Sequence, residues 1–349
     1  MTRVPGPWLL VVGMHRSGTS AVTGALGALG LGVVQADDRM DWPESNPEHW
    51  ESLSLTQHNN DLLARLDGAW DAPPELPSGW EQRPEVVGAP DPGPLLNAAY
   101  PDSGPKVFKD PRLCLLLAYW RKVLDPPVAA VLVWRSPMAV ARSLLSRDGL
   151  PTVEGLALWE RYNRSAVEGL AGVDTYVLDY ESVIGDRDRA IETLVAWLGT
   201  LEQSEGEAGG WDRAAAVGAI KGELHHHPGD RTGDGEALLP AELQQLARQL
   251  SSLTGGHRPL GPEPFGLESP WTTSILRLRQ ELSGPKRELD ATKDLLRITR
   301  NELESTKDGM VRLRASTSWR ITAPLRSLTT AVEGLRQRPS ADPPSGTDQ

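Results

Sequence analysis

The chain has 349 residues, a formal net charge of −11 and 39% apolar residues. That length holds one large domain with its own core plus an appendage. The single cysteine, Cys114, excludes a disulfide framework and a cysteine-built zinc cluster, and the acidic balance excludes general nucleic-acid binding.

Residues Met1 to Val12 carry one basic residue and a short apolar run, unlike a signal peptide. No run of eighteen apolar residues occurs anywhere, so the expectation is a soluble, cytoplasmic protein. Trp8 to Val12 reads as a buried strand and Ala21 to Leu29 as a helix. Between them stands Gly13-Met14-His15-Arg16-Ser17-Gly18-Thr19-Ser20. Strand, glycine-bounded loop and helix make a phosphate cradle, because loop and first-turn N–H groups point at one anion. The spacing of Gly13 and Gly18 matches the P-loop of nucleotide hydrolases, but Thr19 stands where those enzymes carry lysine. The positive charge sits inside the loop instead, at Arg16.

Residues 35–51 form a polar stretch with Asp37, Asp38, Glu44, His49 and Glu51, and residues 52–66 read as a helix. Nine prolines between Asp71 and Pro105 predict an irregular insertion or lid outside the core. Lys106 to Lys109 reads as a short strand, and Pro111 turns Asp110 away from helical geometry before a helix over 112–124. Cys114 falls on that helix, where it packs as a small hydrophobe. The Val-rich run from Val128 reads as a buried parallel strand ending at Arg135. Pro137 suits the first turn of the next helix, which carries Ser143 about two turns in. Ligands of open α/β sheets bind at the carboxyl ends of strands, and a guanidinium there grips a phosphate through two parallel hydrogen bonds.

Further helices are expected over 154–170 and from Arg189 to Leu198, the latter ended by Gly199, with a strand at 175–180 before it. Residues 201–262 are Gly-rich, with helices near 211–221 and 240–252. A metal site at the three histidines 225–227 is disfavoured, since consecutive helical residues cannot all face one ion; with Lys221 they are candidates for a place near a bound phosphate. From Trp271 the pattern changes. Ile275, Leu282, Leu289, Leu296, Leu303 and Met310 recur every seven residues, beside Leu278, Pro285, Thr292, Thr299, Thr306 and Leu313. The segments at 288–294 and 302–308 nearly repeat. This heptad pattern predicts a coiled coil over 271–314, for self-association through residues 275–313 or for docking of a partner, with Gly284-Pro285 dividing it into two helices. Between Ile275 and Arg338 there are 14 basic and 8 acidic residues, a local charge of +6 on an otherwise acidic chain. Residues 315–349 form a basic, partly disordered tail whose apolar positions suit peripheral contact with a membrane surface.

The Gly-x-x-Arg-Ser-Gly-Thr-Ser loop resembles the 5′-phosphosulfate loop of sulfotransferases that use 3′-phosphoadenosine 5′-phosphosulfate (PAPS). The strand-ending Arg135 with Ser143 eight residues on, and the Lys109-Asp110-Pro111 segment, resemble the same family, in matching order over roughly residues 8–200. The Tyr-Glu and Leu-Gly positions around 180–199 resemble its later part. The Thr-Ser-Trp-Arg segment at 317–320 is similar to the endings of some bacterial glycosyltransferases and sulfotransferases; it has no physical account. The resemblance implies a three-layer α/β/α, P-loop-like domain over 1–262 with a mostly parallel central sheet. It implies PAPS as co-substrate, bound by Arg16, Ser17, Gly18, Thr19, Ser20, Arg135 and Ser143. Lys109 would lie by the bridging oxygen, and no metal would be needed. The acceptor would be a hydroxyl of a glycan or natural product. Family members that place a catalytic histidine two residues after the lysine find Pro111 matched here, so the base falls instead to a carboxylate. Glu51 leads, by likeness of Asn46-Pro47-x-x-Trp50-Glu51 to bacterial relatives, and Glu44 follows. Trp42, Trp50, Trp70 and Trp80 are candidates to line the acceptor site.

Two other readings remain. A P-loop kinase of small molecules is disfavoured by Thr19 and by Trp134-Arg135 standing where a strand-end acidic Mg²⁺ partner belongs. An inactive sulfotransferase-like scaffold acting through the coiled coil is disfavoured by the retained Arg16, Lys109, Arg135 and Ser143.

Overall fold

The computed structural model describes residues 7–40, 49–101, 104–126, 128–201, 211–220, 239–262 and 265–323, without the side chains of 285–291 and 294. The fold is α/β. Strand β1 (Trp8–Val12) leads through the glycine loop into α1 (Thr19–Ala28). Helix α2 (Leu53–Arg65) follows, started by Ser52, whose Oγ accepts from Leu55 N at 3.1 Å. A 3₁₀ turn (Trp80–Gln82), α3 (Pro84–Val87) and α4 (Gly93–Ala99) precede β2 (Lys106–Lys109) and α5 (Leu113–Val123). Then come β3 (Val128–Trp134), α6 (Pro137–Asp148), α7 (Thr152–Leu170) and β4 (Asp174–Asp179). Helices α8 (Tyr180–Gly185), α9 (Arg187–Leu201), α10 (Arg213–Ala219) and α11 (Ala241–Ser252) lead to β5 (Gly255–His257). The long α12 (Pro270–Ala315) and short α13 (Thr317–Ile321) complete the described chain.

The five strands lie in the order β2-β1-β3-β4-β5, parallel except for β5, which pairs antiparallel with β4. Both sheet faces are covered, which is why the parallel strands read as continuous apolar runs. Leu10, Val12, Phe108 and Leu132 face a core built with α2, α5 and α7. Leu9, Val11, Val107 and Val131 face the opposite core, with α1, α9 and α10. The chain leaves β1 to one side for β2 and later to the other for β3. The β1/β3 boundary is therefore the switch point where an open α/β sheet leaves a crevice at its carboxyl edge.

Three expectations are corrected. The proline-rich 71–105 stretch is not outside the core: Trp80, Val86, Leu96 and Tyr100 are buried in it. Proline tolerates the first turn of a helix, so Pro84 opens α3 and Pro94 stands in the first turn of α4 without breaking either. Gly199 does not end its helix, because α9 runs to Leu201. Gly284-Pro285 does not divide α12, whose backbone is helical on both sides of it. A proline removes one helical hydrogen bond, and a helix 46 residues long has many others to hold it.

The described chain forms two compact units, residues 1–282 and 283–349. Within the first unit the opening turns of α12 are tied down by charge. The carboxylate of Glu160 on α7 is fully buried and accepts from Ser269 N at 3.1 Å, Ser269 Oγ, Thr272 Oγ1 at 2.6 Å and Arg164 Nε at 2.8 Å. Burial alone would raise this carboxyl; its four donors hold it below the usual range. Arg279 pairs with both Asp71 and Glu154.

Candidate active site

The loop after β1 turns back through Ser17 N to Met14 O at 3.1 Å. Two residues take left-handed backbone there, Arg16 at φ 68° and Gly18 at φ 90°. Gly18 tolerates it without strain, and a second reason fixes glycine at this position. A Cβ on it would stand 2.0 Å from Cδ2 of Tyr180, so the tyrosine ring lies directly against the loop. Gly13 is equally committed, since a Cβ there would meet Val133 O at 2.3 Å. The loop is thus wedged between the ends of β3 and β4, at the carboxyl edge of the sheet where α1 starts.

Four cations converge on this edge from different elements. Arg16, Lys109, Arg135 and Arg147 line one cleft with His15, Gly18, Thr19, Ser20, His49, Glu51, Pro111 and Tyr180. Arg16 donates from Nε to Ser143 Oγ at 2.8 Å, tying the loop to α6. Lys109, 2% exposed, donates from Nζ to Ser20 Oγ at 3.1 Å and forms a buried ion pair with Glu51. Arg135 donates from Nε to Glu181 Oε1 at 2.9 Å and lies 5.3 Å from the Tyr180 ring centre. Its own carbonyl accepts from Trp159 Nε1 at 2.8 Å, which fixes the end of β3. Arg147 pairs with Asp148 and lies over Trp70 at 5.8 Å.

The electrostatics follow from crowding. Burial lowers the proton affinity of the Arg16 guanidinium, and Arg147 and Arg135 lower it further. Burial would raise the Glu51 carboxyl, but Lys109 and His49 outweigh it and hold the group far below the usual range. His49 contributes through a contact of 3.0 Å between Nδ1 and Glu51 Oε2. His15 is 8% exposed and packs on Trp70 (4.5 Å between ring centres) and Tyr162 (5.9 Å). Its Nε2 is buried without a hydrogen-bond partner, as is Ser17 Oγ. Burial, then Arg112 and Arg147, push the His15 imidazole well below its ordinary value, so it is neutral at pH 7.

The cleft brings together Arg16, Gly18, Thr19, Ser20, Glu51, Lys109 and Arg135, spread over more than a hundred residues of sequence. Ser17 and Ser143 lie just behind it, both buried. Glu44, Trp42, Lys221 and the histidines at 225–227 lie outside the described residues. Asp38 is not a free carboxylate but a brace for the start of α2, accepting from Ser54 N at 3.1 Å, Ser54 Oγ at 2.9 Å and Ser52 Oγ. Trp80 faces a different cavity with Ala118 and Glu168, while Trp70 stands against His15 of the site. Asp110 is structural: its carboxylate accepts from Arg112 N and Nη1, Asn59 Nδ2 and Thr56 Oγ1, which pins the turn after Lys109.

Sequence reasoning missed His15, Arg147, Tyr180 and Glu181 as parts of the site. Tyr180 and Glu181 had a signal, since they stand at and just past the carboxyl end of the strand expected over 175–180, which ends at Asp179. His15 lies within the loop itself. Arg147 had none, because its place depends on where α6 ends.

Four cations face one carboxylate among the cleft-lining residues, the helix α1 starts there, and two buried polar atoms lack partners. This set fits a compact polyanion bearing phosphate or sulfate groups.

No model of a known protein family matches the sequence, and no curated protein does. Solved structures similar to the chain include sulfotransferases. The domain from the curacin biosynthetic pathway is 15% identical, with a TM-score of 0.40 over 72% of this chain and 99% of that one. The domain from the Synechococcus olefin synthase is 16% identical, with a TM-score of 0.37 over 79% of this chain and 95% of that one. A sulfotransferase from Mycobacterium tuberculosis is 18% identical, with a TM-score of 0.40 over 72% of this chain and 78% of that one.

Proposed function

We propose that the chain is a sulfotransferase that moves the sulfuryl group of PAPS to a hydroxyl acceptor on a glycan or natural product. One observation carries the reading. Arg16, Ser20, Lys109 and Arg135, from three strand ends, meet in one cleft with a buried carboxylate, Glu51, paired to the lysine.

The donor supplies a sulfuryl group already joined to a phosphate leaving group. The chain then needs fixed positive charge at the leaving oxygen and a base at the acceptor. The loop N–H groups, Thr19 and Ser20 hold the 5′-phosphate side, with Arg16 beside them. Lys109 stabilises charge at the bridging oxygen. Arg135 and Ser143 hold the 3′-phosphate side. Without ligand, these cations are partly occupied by carboxylates: Lys109 by Glu51 and Arg135 by Glu181. An anion that engages Lys109 loosens its hold on Glu51. Losing that cationic partner raises the carboxylate's proton affinity toward what a general base needs. The same contact that receives the donor thereby readies the base. His49 orients the other oxygen of Glu51 throughout.

The test is calorimetric titration with adenosine 3′,5′-bisphosphate beside ATP–Mg²⁺, on the wild type and on Arg135→Ala. Micromolar binding of the bisphosphate, lost in the variant, is the expected result. Tight ATP–Mg²⁺ binding without bisphosphate binding would replace this reading with a kinase. Bisphosphate binding without turnover of any acceptor would leave a scaffold.

A further inference from the structure

Helix α12 changes character along its length. Its first turns serve its own domain: Leu276 is 1% exposed, and Trp271 and Ile275 pack against the core. Beyond residue 282 the seven-residue stripe has no covering in the described chain. Leu296, Leu303 and Met310 are 64%, 52% and 48% exposed, and Leu313 on the adjoining seam is 54% exposed. A single-stranded helix leaves such a stripe in water, which is unfavourable in proportion to the apolar surface exposed.

The charges flanking the stripe say what covers it. With Leu282, Leu296, Leu303 and Met310 at heptad position a, position e is basic in every heptad from there: Lys286, Lys293, Arg300, Lys307 and Arg314. Position g carries Glu281, Glu288 and Glu302, and is never basic. The near-repeated segments at 288–294 and 302–308 are the source of this regularity. They lie two heptads apart and set a glutamate at g and a lysine at e each time. In a parallel, in-register pair, each g faces the e of the next heptad on the partner. Glu281 then meets Lys286, Glu288 meets Lys293, and Glu302 meets Lys307, twice over by symmetry. Antiparallel pairing sets g against g and e against e, glutamate on glutamate and lysine on lysine. The pattern is complementary to itself in one orientation only.

The threonines at position d fit the same arrangement. Thr299 Oγ1 donates to Leu295 O at 3.0 Å and Thr306 Oγ1 to Glu302 O at 2.8 Å. A hydroxyl already bonded within its own helix enters an apolar seam without leaving an unsatisfied donor.

We propose that residues 282–314 form a parallel, in-register, two-stranded coiled coil with a second copy of this chain. The inference is independent of what the α/β domain catalyses. Sedimentation equilibrium of the full chain at micromolar concentration should give about twice the chain mass of 37.9 kDa. Leu296→Lys with Leu303→Lys should return it to the monomer mass without moving the thermal midpoint of the α/β domain, since both side chains are exposed. Orientation is read by disulfide capture in a Cys114→Ala background. A parallel in-register pair brings the two copies of position 310 within the roughly 5.5–6 Å between Cα atoms that a disulfide spans. Met310→Cys should therefore be captured as a covalent dimer under mild oxidation, many-fold faster than Asn301→Cys on the outer face. A monomer mass for the wild type overturns the proposal. So does a dimer that survives the double lysine variant, or one in which Met310→Cys is captured no faster than Asn301→Cys.

Discussion

Lys109 at the end of β2 and Glu51 before α2 form a buried ion pair across 58 positions of sequence. The pair joins the cation assigned to the leaving group with the carboxylate assigned to the acceptor. Replacing Glu51 with Gln keeps the shape and removes the base. Turnover should fall by about 10² to 10⁴-fold, while bisphosphate affinity stays within a few-fold or tightens, because Lys109 loses a competing anion. Turnover and calorimetry on the same preparation separate the two effects.

The same carboxylate predicts a pH signature in stability. Lys109 and His49 hold the folded-state pKa of Glu51 below the ordinary carboxylate value of about 4.5. Its contribution to stability is therefore present above that value and is lost as pH falls below it. Thermal midpoints of wild type and Glu51→Gln should differ most near neutrality and converge as pH drops under about 4.5. A gap that stays constant through that range would show that the pair does not hold the carboxylate ionised.

Arg135 is oriented by Glu181 and Tyr180 before any ligand arrives. Arg135→Ala should weaken bisphosphate binding by about 2–5 kcal/mol, beyond thirty-fold. Glu181→Gln should weaken it less or strengthen it, since it frees the guanidinium from an ionic partner. Titration of both variants checks the pair.

His15 leaves its Nε2 buried without a partner. An unsatisfied buried polar atom costs about 1–3 kcal/mol. His15→Phe should therefore hold or raise the thermal midpoint. If the Nε2 is kept for a ligand, the same variant lowers turnover, so stability and activity move in opposite directions. A midpoint that falls with turnover would assign His15 to packing alone.

Thr272→Val removes one donor from the buried Glu160 carboxylate at the start of α12 and keeps the side-chain shape. The expected cost is about 1–3 kcal/mol, read as a lower thermal midpoint with bisphosphate binding unchanged.

The parallel strands were legible because burial on both faces leaves uninterrupted apolar runs, as at Trp8–Val12 and Val128–Trp134. The loop and Arg135 were legible because both sit at strand ends, where chain order fixes spatial order. What depended on tertiary packing was not. Proline spacing hid the burial of Trp80, Leu96 and Tyr100, the last of them packed on Trp8 of β1 and Phe108 of β2. Strand β5 is only three residues long and carries two glycines, too little for any periodicity. Tyr180 could be placed after a strand, but its contact with Gly18 depends on how two crossovers settle on the sheet.

That contact ties the anion loop mechanically to the chain segment bearing Glu181. With Tyr180 filling the space a Cβ would need at Gly18, the loop has no slack on its β4 side, and the tyrosine cannot shift without disturbing the arginine stacked over it. Variation at any one of Gly18, Arg135 and Tyr180 is answerable to the other two. These three positions should therefore resist substitution singly: a bulkier residue at 18 is strained by the left-handed backbone and meets the ring at 180 as well.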